Sequence, residues 1–372
     1  MYIQLIWPEP RRLPIGMDKR MDTPIKGRGA ASNPAGRFDA LRRERVDDGW
    51  ESFEPDPNPK TVLLPDATRT IITRNRSPDV GFDRSINPYK GCEHGCVYCF
   101  ARPTHAYLDL SPGIDFETRI FYKTGVVERM RQEFGRPSYR CAVLALGSNT
   151  DPYQPAEKKL KITRSILETM LAYRHPVSIV TKGTLLERDL DLLLELAKLE
   201  LVSVMISVTT LDSGLKATLE PRAAAPQRRL ALLRLLADSG IPVGVLIAPV
   251  IPLVNDSELE AIIEQCAAAG ARSIGYVLLR LPWEVKDLFR EWLELHLPDR
   301  AAHVMSVIRS MRGGKDYDAQ WWSRQVGEGP FADLIRQRFE LALRKRGLLG
   351  SKLPTLRTDL FRDPDDRQAA LF

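Results

Sequence analysis

Residues 142–147 read A-V-L-A-L-G, and residues 159–173 read K-L-K-I-T-R-S-I-L-E-T-M-L-A-Y. The first stretch is a short apolar run ended by glycine, which is typical of a buried strand. The second stretch repeats its apolar residues every three or four positions, which indicates an amphipathic helix. A buried strand followed by such a helix is the unit from which helix-covered parallel sheets are built.

The same pair of segments recurs along the chain. Four more apolar, β-branched runs begin at residues 177, 201, 242 and 273, and each is followed by an amphipathic stretch. With a first strand before Gly91, about six units can be counted. The sequence therefore predicts an α/β fold, a partial (β/α)6-type TIM barrel of parallel strands. A doubly wound open sheet is the alternative, because alternation alone does not separate the two.

The chain divides into four predicted parts. Residues 1–79 are rich in Arg, Pro, Asp and Gly without a sustained period, so we expect a basic, Pro-rich, extended N-terminal arm. Residues 80–298 are predicted to form the barrel. Residues 299–350 are expected to be a helical, basic C-terminal extension, and residues 351–372 a flexible tail.

The composition is that of an ordinary globular protein. Of the 372 residues, 44% are apolar and 27% are charged, and the formal net charge is +6. No apolar run approaches the length needed to cross a bilayer, so no membrane partner is expected. The opening M-Y-I-Q-L-I-W is too short for a signal peptide. We therefore expect a cytoplasmic protein whose cysteines stay reduced.

Three of the five cysteines, Cys92, Cys96 and Cys99, lie within eight positions in the spacing C-x3-C-x2-C. Three thiolates on one loop are able to ligate three corners of a cubane iron-sulfur cluster, which leaves one iron open. The triplet follows a predicted strand, where the catalytic loops of α/β barrels emerge. A structural zinc site with His94 or His105 as the fourth ligand is the alternative.

The stretch I-N-P-Y-K-G-C-E-H-G-C-V-Y-C-F-A-R, residues 86–102, resembles the signature of radical S-adenosylmethionine (SAM) enzymes. It is most similar to the spore photoproduct lyase-like, or DNA repair photolyase, branch, and the resemblance covers roughly residues 80–280. The resemblance implies a 4Fe-4S cluster on the three cysteines and SAM as the second cofactor. It also implies reductive cleavage of SAM to a 5′-deoxyadenosyl radical that takes a hydrogen atom from the substrate, and an electron donor such as flavodoxin or ferredoxin.

The resemblance further implies which residues contact SAM. Tyr98 is the aromatic residue before the last cysteine. Thr150 lies in G-S-N-T-D after the second barrel strand, where many such enzymes have a Gly-Gly-Glu-like turn; a capped turn is the alternative. Lys182 and Ser207 end two strands and match residues that contact the SAM carboxylate and ribose. Arg222, in T-L-E-P-R, is a candidate for holding a carboxylate, with a surface salt bridge as the alternative.

One departure from the lyase pattern concerns a further cysteine. The lyase carries a hydrogen-atom donor in a Cys-Thr-Ser-Asp stretch, whereas this chain has S-N-T-D at residues 148–151. Cys141, at the beginning of the same predicted strand, is the remaining candidate for such a donor, and a position in the core is the alternative. The departure concerns the lyase reaction and leaves SAM cleavage unaffected.

The predicted substrate class is nucleic acid, from the resemblance and the basic charge. Gln368, Leu371 and Phe372, in the terminal Q-A-A-L-F, resemble the peptide by which bacterial DNA repair and replication proteins bind the sliding clamp. Trp321 and Trp322 are predicted to dock a helix on the barrel, with base stacking as the alternative. Modification of an RNA, a peptide or a metabolite stays open. So does a zinc-bearing adaptor that binds nucleic acid or the clamp.

Overall fold

The structure, a computed structural model, describes residues 25–38 and 59–364. Parts of the predicted arm lie outside these residues, and so does the clamp-like peptide with Gln368, Leu371 and Phe372. In the part that is described, no helix combines the length and the apolar character needed to span a bilayer.

Ten strands are found in the described residues: β1 (Val62–Asp66), β2 (Ile72–Arg74), β3 (Arg84–Ile86), β4 (Tyr89–Lys90), β5 (Arg119–Lys123), β6 (Leu144–Leu146), β7 (Val177–Thr181), β8 (Val202–Ser207), β9 (Val243–Val250) and β10 (Ile274–Leu278). The same residues contain twelve α-helices: α1 (Ile114–Thr118), α2 (Val126–Phe134), α3 (Glu157–Leu160), α4 (Ile162–Ala172), α5 (Leu190–Lys198), α6 (Ser213–Leu219), α7 (Pro226–Asp238), α8 (Leu259–Ala268), α9 (Val285–His296), α10 (Pro298–Ser310), α11 (Ser323–Val326) and α12 (Pro330–Lys345). Short 3-10 helices cover Arg102–Leu108, Leu185–Asp189 and Asp256–Glu258.

Seven strands form the central sheet, in the order β10-β9-β8-β7-β6-β3-β2. The six strands from β3 to β10 are parallel, and only β2 runs antiparallel to its neighbour β3. Their residues are mostly Val, Ile and Leu and are buried, because helices cover the sheet. No closed barrel is found in the described residues. The prediction of a partial barrel with six parallel strands is therefore confirmed.

The helix predicted over residues 159–173 is divided in two. Lys161, with φ of +53°, separates α3 from α4. The buried carboxylate of Glu157 accepts the Thr163 N–H at 3.0 Å, which satisfies a donor at the start of α4. The same carboxylate pairs with Arg188 at 2.8 Å. The break therefore lets one buried acid cap α4 and neutralise an arginine.

A second sheet, β1-β5-β4, was not predicted. Strand β1 runs parallel to β5, with Leu63 opposite Ile120, and β4 runs antiparallel to β5. Strands β1 and β2 both lie in residues 1–79, so the boundary of the arm at residue 79 needs correction. The apolar run V-L-L in β1 is short and lies between Thr61 and Pro65, and only pairing with a distant strand makes it regular structure.

The C-terminal extension is helical, but its tryptophans do not dock it. The side chains of Trp321 and Trp322 are 56% and 63% exposed, so the prediction that they pack on the barrel is wrong. The segment is held instead by polar contacts. Arg324 Nε donates to Asp79 Oδ2 at 2.6 Å, and the Trp322 N–H donates to the same oxygen at 3.1 Å.

Candidate cofactor site at the cysteine loop

The three clustered cysteines lie on residues 91–102, which we call the cysteine loop. It follows β4, next to the carboxyl end of β3. Cys92 and Cys96 are each 7% exposed, and Cys99 is half-buried. Backbone hydrogen bonds give the loop its shape, because the Cys92 N–H donates to the Phe116 carbonyl at 2.9 Å and the Cys99 N–H to the Cys96 carbonyl at 3.2 Å. The thiols are thus held on one ordered, largely buried turn.

The surroundings of the thiols oppose free thiolates. Burial raises the pKa of all three. The Glu220 carboxylate raises the pKa of Cys96 further, whereas the Lys182 ammonium lowers it. All five cysteines are free, so no disulfide uses the triplet. Three buried thiols become ligands only when a metal compensates the negative charge, and this donor set fits a thiolate-bound iron-sulfur cluster.

The two histidines proposed as a fourth ligand of a zinc site lie against other protein groups. Within residues 25–38 and 59–364, no group of three or more His, Cys, Asp or Glu side chains, the three cysteines included, is arranged to hold a metal ion, so this finding does not separate zinc from an iron-sulfur cluster. Nδ1 of His94 lies 3.3 Å from Asp151 Oδ2. Nε2 of His105 lies 3.0 Å from the Arg119 carbonyl, and burial lowers the pKa of His105 to about 4. Each candidate imidazole therefore lies beside a protein group other than the thiols, but Nδ1 of both rings is buried without a hydrogen bond.

A buried ion pair fixes the cysteine loop from within. Arg102 and Glu117 are both fully buried and pair with each other. The guanidinium of Arg102 also donates to the carbonyls of Cys96 at 2.9 Å, Gly95 at 3.3 Å and Gly113 at 2.9 Å. Because a guanidinium presents five donors in a rigid plane, one side chain holds the loop and the segment before α1 together.

Residues 25–38, which we call the strap, cross the cysteine loop. Gly29 and Ala30 donate their N–H groups to the two carboxylate oxygens of Glu117, at 3.1 and 2.9 Å. A Cβ added at Gly29 would lie 1.8 Å from the Gly95 carbonyl oxygen. The strap therefore approaches the loop so closely that only glycine fits there. This segment belongs to the predicted arm, and the structure corrects that prediction.

A second buried polar group, which we call the Glu220 cluster, lies where the parallel strands end. It comprises Tyr98, Lys182, Thr209, Glu220 and Arg229. Lys182 Nζ lies 3.1 Å from Glu220 Oε1, and Thr209 Oγ1 donates to the same oxygen at 2.6 Å. The Tyr98 hydroxyl and the Arg229 guanidinium also donate to Glu220. Two residues predicted to contact SAM, Tyr98 and Lys182, are thus brought together.

Electrostatics keep Glu220 ionised although it is fully buried. Burial raises its pKa, but the charges of Arg229 and Lys182 and the hydrogen bonds from Thr209 and Tyr98 outweigh burial and hold the pKa well below its ordinary value. The cluster contains two cations and one carboxylate, which leaves an excess positive charge beside Cys96. A buried excess charge favours an anionic ligand.

The turn after β6 is linked to the same place by Asp151. The Asp151 carboxylate accepts hydrogen bonds from Thr181 Oγ1 and from the Lys182 N–H, both at 2.7 Å. His94 of the cysteine loop lies on its other side. Thr150, predicted to contact SAM, is 1% exposed and donates its hydroxyl to the Tyr89 carbonyl at 2.7 Å. The hydroxyl of Thr150 thus already has a backbone partner.

The remaining predicted residues lie in different places. Ser207 is 5% exposed, and its carbonyl accepts a hydrogen bond from Arg229 at 3.0 Å, so it borders the Glu220 cluster. Arg222 pairs with Glu93 of the cysteine loop at 3.2 Å. Cys141 precedes β6 and therefore lies toward the amino ends of the parallel strands, away from their carboxyl ends. Burial raises the pKa of Cys141 to about 11. The structure does not bring Cys141 to the other site residues.

The sequence analysis missed five residues that shape this site: Arg102, Glu117, Thr209, Glu220 and Arg229. Glu220 stands inside T-L-E-P-R, from which only the arginine was selected. Its position after a buried strand and a short helix is the feature of the sequence that could have indicated it, because a carboxylate buried there needs a buried cation as its partner. Arg102 and Glu117 carry no such signal, since their pairing depends on the path of the loop.

The sequence matches the family model described as the radical SAM superfamily over residues 86–266. An uncharacterized protein of Mycobacterium bovis is 41% identical over 230 residues, which are 61% of this chain and 68% of that protein. An uncharacterized protein of Methanocaldococcus jannaschii is 30% identical over 204 residues, which are 54% of this chain and 72% of that protein.

The fold is similar to that of spore photoproduct lyase. A structure of that enzyme complexed with dinucleoside spore photoproduct superposes with a TM-score of 0.55 and 14% identity, covering 76% of this chain and 79% of that one. A mutant of it with bound AdoMet and the dinucleoside gives a TM-score of 0.51 and 13% identity, with the same coverage. At these identities the similarity concerns the fold alone.

The open parallel sheet, with the cysteine loop beside the carboxyl end of β3, is the architecture to which the family match applies. The chain belongs to the radical SAM superfamily, and its cofactors are a 4Fe-4S cluster and SAM. This assignment replaces the zinc-bearing adaptor as an explanation of the three cysteines.

Proposed function

We propose that this radical SAM enzyme takes a hydrogen atom from a nucleic acid, in a reaction related to the repair of DNA lesions. The observation that supports the enzymatic part of the proposal is the largely buried triplet of thiols beside the Glu220 cluster, which has an excess positive charge. The nucleic-acid part is supported by the fold similarity to a lyase whose structure contains a dinucleoside photoproduct, and by the net charge of +6.

Cys92, Cys96 and Cys99 would hold the cluster. When bound, the cluster and SAM supply the reductive cleavage of the SAM sulfonium, which yields methionine and a 5′-deoxyadenosyl radical able to take a hydrogen atom. The contribution of the chain is to bind, to orient and to exclude water. The burial of the thiols and the strap that covers the loop serve the last purpose.

The Glu220 cluster is the proposed binding site for the carboxylate of SAM. Lys182 Nζ has Glu220, Thr209 and the Ala248 carbonyl within 3.2 Å, so its position is fixed before a ligand arrives. A carboxylate that approaches this ammonium neutralises the excess charge that Arg229 and Lys182 leave over Glu220. Glu220 thus acts as a positioning residue, because it orients the cation and does not itself attract the ligand.

Other contacts to SAM are proposed from the resemblance to the lyase-like branch. Tyr98, Thr150 and Ser207 keep their proposed roles, and each borders the cysteine loop or the Glu220 cluster. Arg222 contacts Glu93 and lies apart from the Glu220 cluster, so we leave it out of the proposed SAM site. A cytoplasmic location and an electron donor such as flavodoxin or ferredoxin are part of the same proposal.

The test is anaerobic. The chain is reconstituted with iron and sulfide, reduced and mixed with SAM, and 5′-deoxyadenosine is quantified for the wild type and for Cys96→Ala. We expect product from the wild type and none from the variant. Cys141→Ala is the matched control, since this half-buried cysteine lies away from the loop, and it should keep full activity. SAM cleavage by Cys96→Ala would refute the assignment of Cys96 as a ligand of the iron-sulfur cluster.

The substrate class is tested with deuterated oligonucleotides. Transfer of deuterium into 5′-deoxyadenosine identifies a nucleic acid as the source of the hydrogen atom. Transfer only from an RNA, a peptide or a metabolite would replace the proposed substrate and leave the radical chemistry intact.

A further inference from the structure

An open surface pocket of about 460 Å³ lies beside the cysteine loop, on the side of the strap. The polar side chains that line it come from the strap, from the segment before β1, from the cysteine loop and from the turn after α6: Lys26, Arg28, Lys60, Thr61, Glu93 and Arg222. Three stretches distant in sequence therefore meet the cysteine loop at one pocket, and its volume suffices for a phosphate group with part of a sugar.

The lining carries four cations and one carboxylate. This leaves an excess of three positive charges around one cavity. Burial lowers the pKa of Arg28, the Glu117 carboxylate raises it, and the charge of Arg222 lowers it, so the two guanidinium groups oppose each other. Glu93 pairs with Arg222 at 3.2 Å and also raises the pKa of Arg28. An arrangement of like charges in a concave pocket is stabilised by an anion.

The two arginines converge on one point. Thr61 Oγ1 accepts from a guanidinium nitrogen of Arg28 at 3.5 Å and from one of Arg222 at 3.4 Å. Further hydrogen bonds anchor Arg28, which donates to the Glu117 carbonyl at 3.0 Å and to the Pro59 carbonyl at 2.6 Å. The half-buried guanidinium of Arg28 and the exposed guanidinium of Arg222 lie beside one hydroxyl, with two exposed lysines at the rim. Such a set of donors matches the oxygens of a phosphate.

The pocket adjoins the cysteine loop through Glu93 and Arg222. Glu93 directly follows the cluster ligand Cys92, and the Arg222 N–H donates to the His94 carbonyl at 3.1 Å. A group held in the pocket therefore contacts the loop that carries the thiols. No function described above uses Lys26 or Lys60.

We propose that this pocket binds a phosphate group. If the phosphate group is a phosphodiester of the substrate, the proposal rests on the proposed nucleic-acid function. A mononucleotide or free phosphate is the other source of the same phosphate chemistry. The test replaces the two exposed lysines, because their replacement leaves in place the hydrogen bonds of Arg28 and the ion pair of Arg222 with Glu93.

The experiment uses the reconstituted full chain under anaerobic conditions. Binding of a fluorescent single-stranded oligodeoxynucleotide is measured by anisotropy over a range of salt concentrations. The pocket variant is Lys26→Gln/Lys60→Gln, and the matched control Lys345→Gln/Lys352→Gln removes two exposed lysines of the C-terminal part. In a second arm, melting temperature is followed as inorganic phosphate is added, which stabilises only a form that binds it.

For the pocket variant, the slope of the logarithm of the oligonucleotide association constant against the logarithm of salt concentration should become shallower by about 1, as expected for the loss of one phosphate contact. This corresponds to about eightfold weaker binding at 0.1 M salt. The control should keep the wild-type slope. Equal slopes for wild type and pocket variant would overturn the phosphate site while the nucleic-acid substrate stands. If no oligonucleotide binds but phosphate stabilises only proteins with an intact pocket, the site stands and the nucleic-acid substrate fails. If neither arm responds, both are refuted.

Discussion

Replacing Gly29 by alanine tests whether the strap positions the cysteine loop. The added Cβ would lie 1.8 Å from the Gly95 carbonyl oxygen and 3.2 Å from the Val97 nitrogen. To bring the first contact to 3.0 Å, strap and loop must separate by about 1.2 Å. Both partners of this contact are backbone atoms, so no side chain is able to rotate away.

The separation acts on two hydrogen bonds. The N–H groups of Gly29 and Ala30 donate to Glu117 at 3.1 and 2.9 Å, and an added 1.2 Å lengthens both beyond bonding distance. Each bond to a buried charged group contributes about 1.5–3 kcal/mol, so the docked strap loses at least about 3 kcal/mol. This lowers the ratio of docked to undocked strap by a factor of roughly 150.

Iron content and spectroscopy report the outcome. We expect Gly29→Ala to fold, because the strap adds little to the core of the sheet, but to bind less iron per chain and to give a broadened electron paramagnetic resonance signal after reduction. Limited proteolysis should cut the strap faster. Gly81→Ala is the control, since a Cβ there meets no atom within 4 Å and its φ lies outside the left-handed region. Wild-type iron content and signal in Gly29→Ala would show that the strap does not position the loop.

Two further predictions concern the Glu220 cluster and the end of the chain. Glu220→Gln leaves Lys182 and Arg229 buried without a counter-ion and should lower the free energy of unfolding by about 3–5 kcal/mol in urea denaturation. The pKa of Glu220 in the folded protein lies below its ordinary value of 4.5, so the stability that the ionised carboxylate contributes is complete above pH 4.5 and is lost as the pH falls through the folded pKa. The difference in unfolding free energy between the wild type and Glu220→Gln should therefore shrink at low pH. A difference that stays constant from pH 7 down to acid unfolding would contradict the ionised carboxylate. Deleting residues 368–372 should abolish capture by immobilised sliding clamp and leave 5′-deoxyadenosine formation unchanged, whereas undiminished capture would dispose of the clamp peptide.

The sequence predicts those parts of the molecule in which local pattern and tertiary structure agree. The apolar runs that form β6 to β10 are buried on both faces, so the order of strands and helices is readable from period and composition. The three clustered cysteines likewise lie within eight positions, so their spacing alone predicts a shared metal or iron-sulfur site. Lys182 and Ser207 are predicted because polar residues at the ends of buried strands collect at one edge of the sheet, and in the structure Lys182 contacts Glu220 and Ser207 contacts Arg229.

The parts that could not be predicted depend on contacts between distant residues. The strap reads as a charged, glycine-containing coil, and only the carboxylate of Glu117, 87 and 88 positions away, gives its N–H groups partners. Strand β1 becomes a strand only beside β5. Glu220 looks like surface charge until Arg229, Lys182 and Tyr98 surround it. Such pairings leave no periodic signal in the sequence.

The frame around the cysteine loop also bears on how the cluster is acquired. Burial raises the pKa of Cys92, Cys96 and Cys99, so binding of iron must release protons that the protein alone does not release. Arg102 donates to backbone carbonyls of the loop and pairs with Glu117, and the strap N–H groups donate to the same Glu117 carboxylate, so none of these contacts uses a thiol. Hydrogen bonds that do not involve the metal ligands therefore already hold the backbone of the loop, which lowers the ordering cost of binding a metal there.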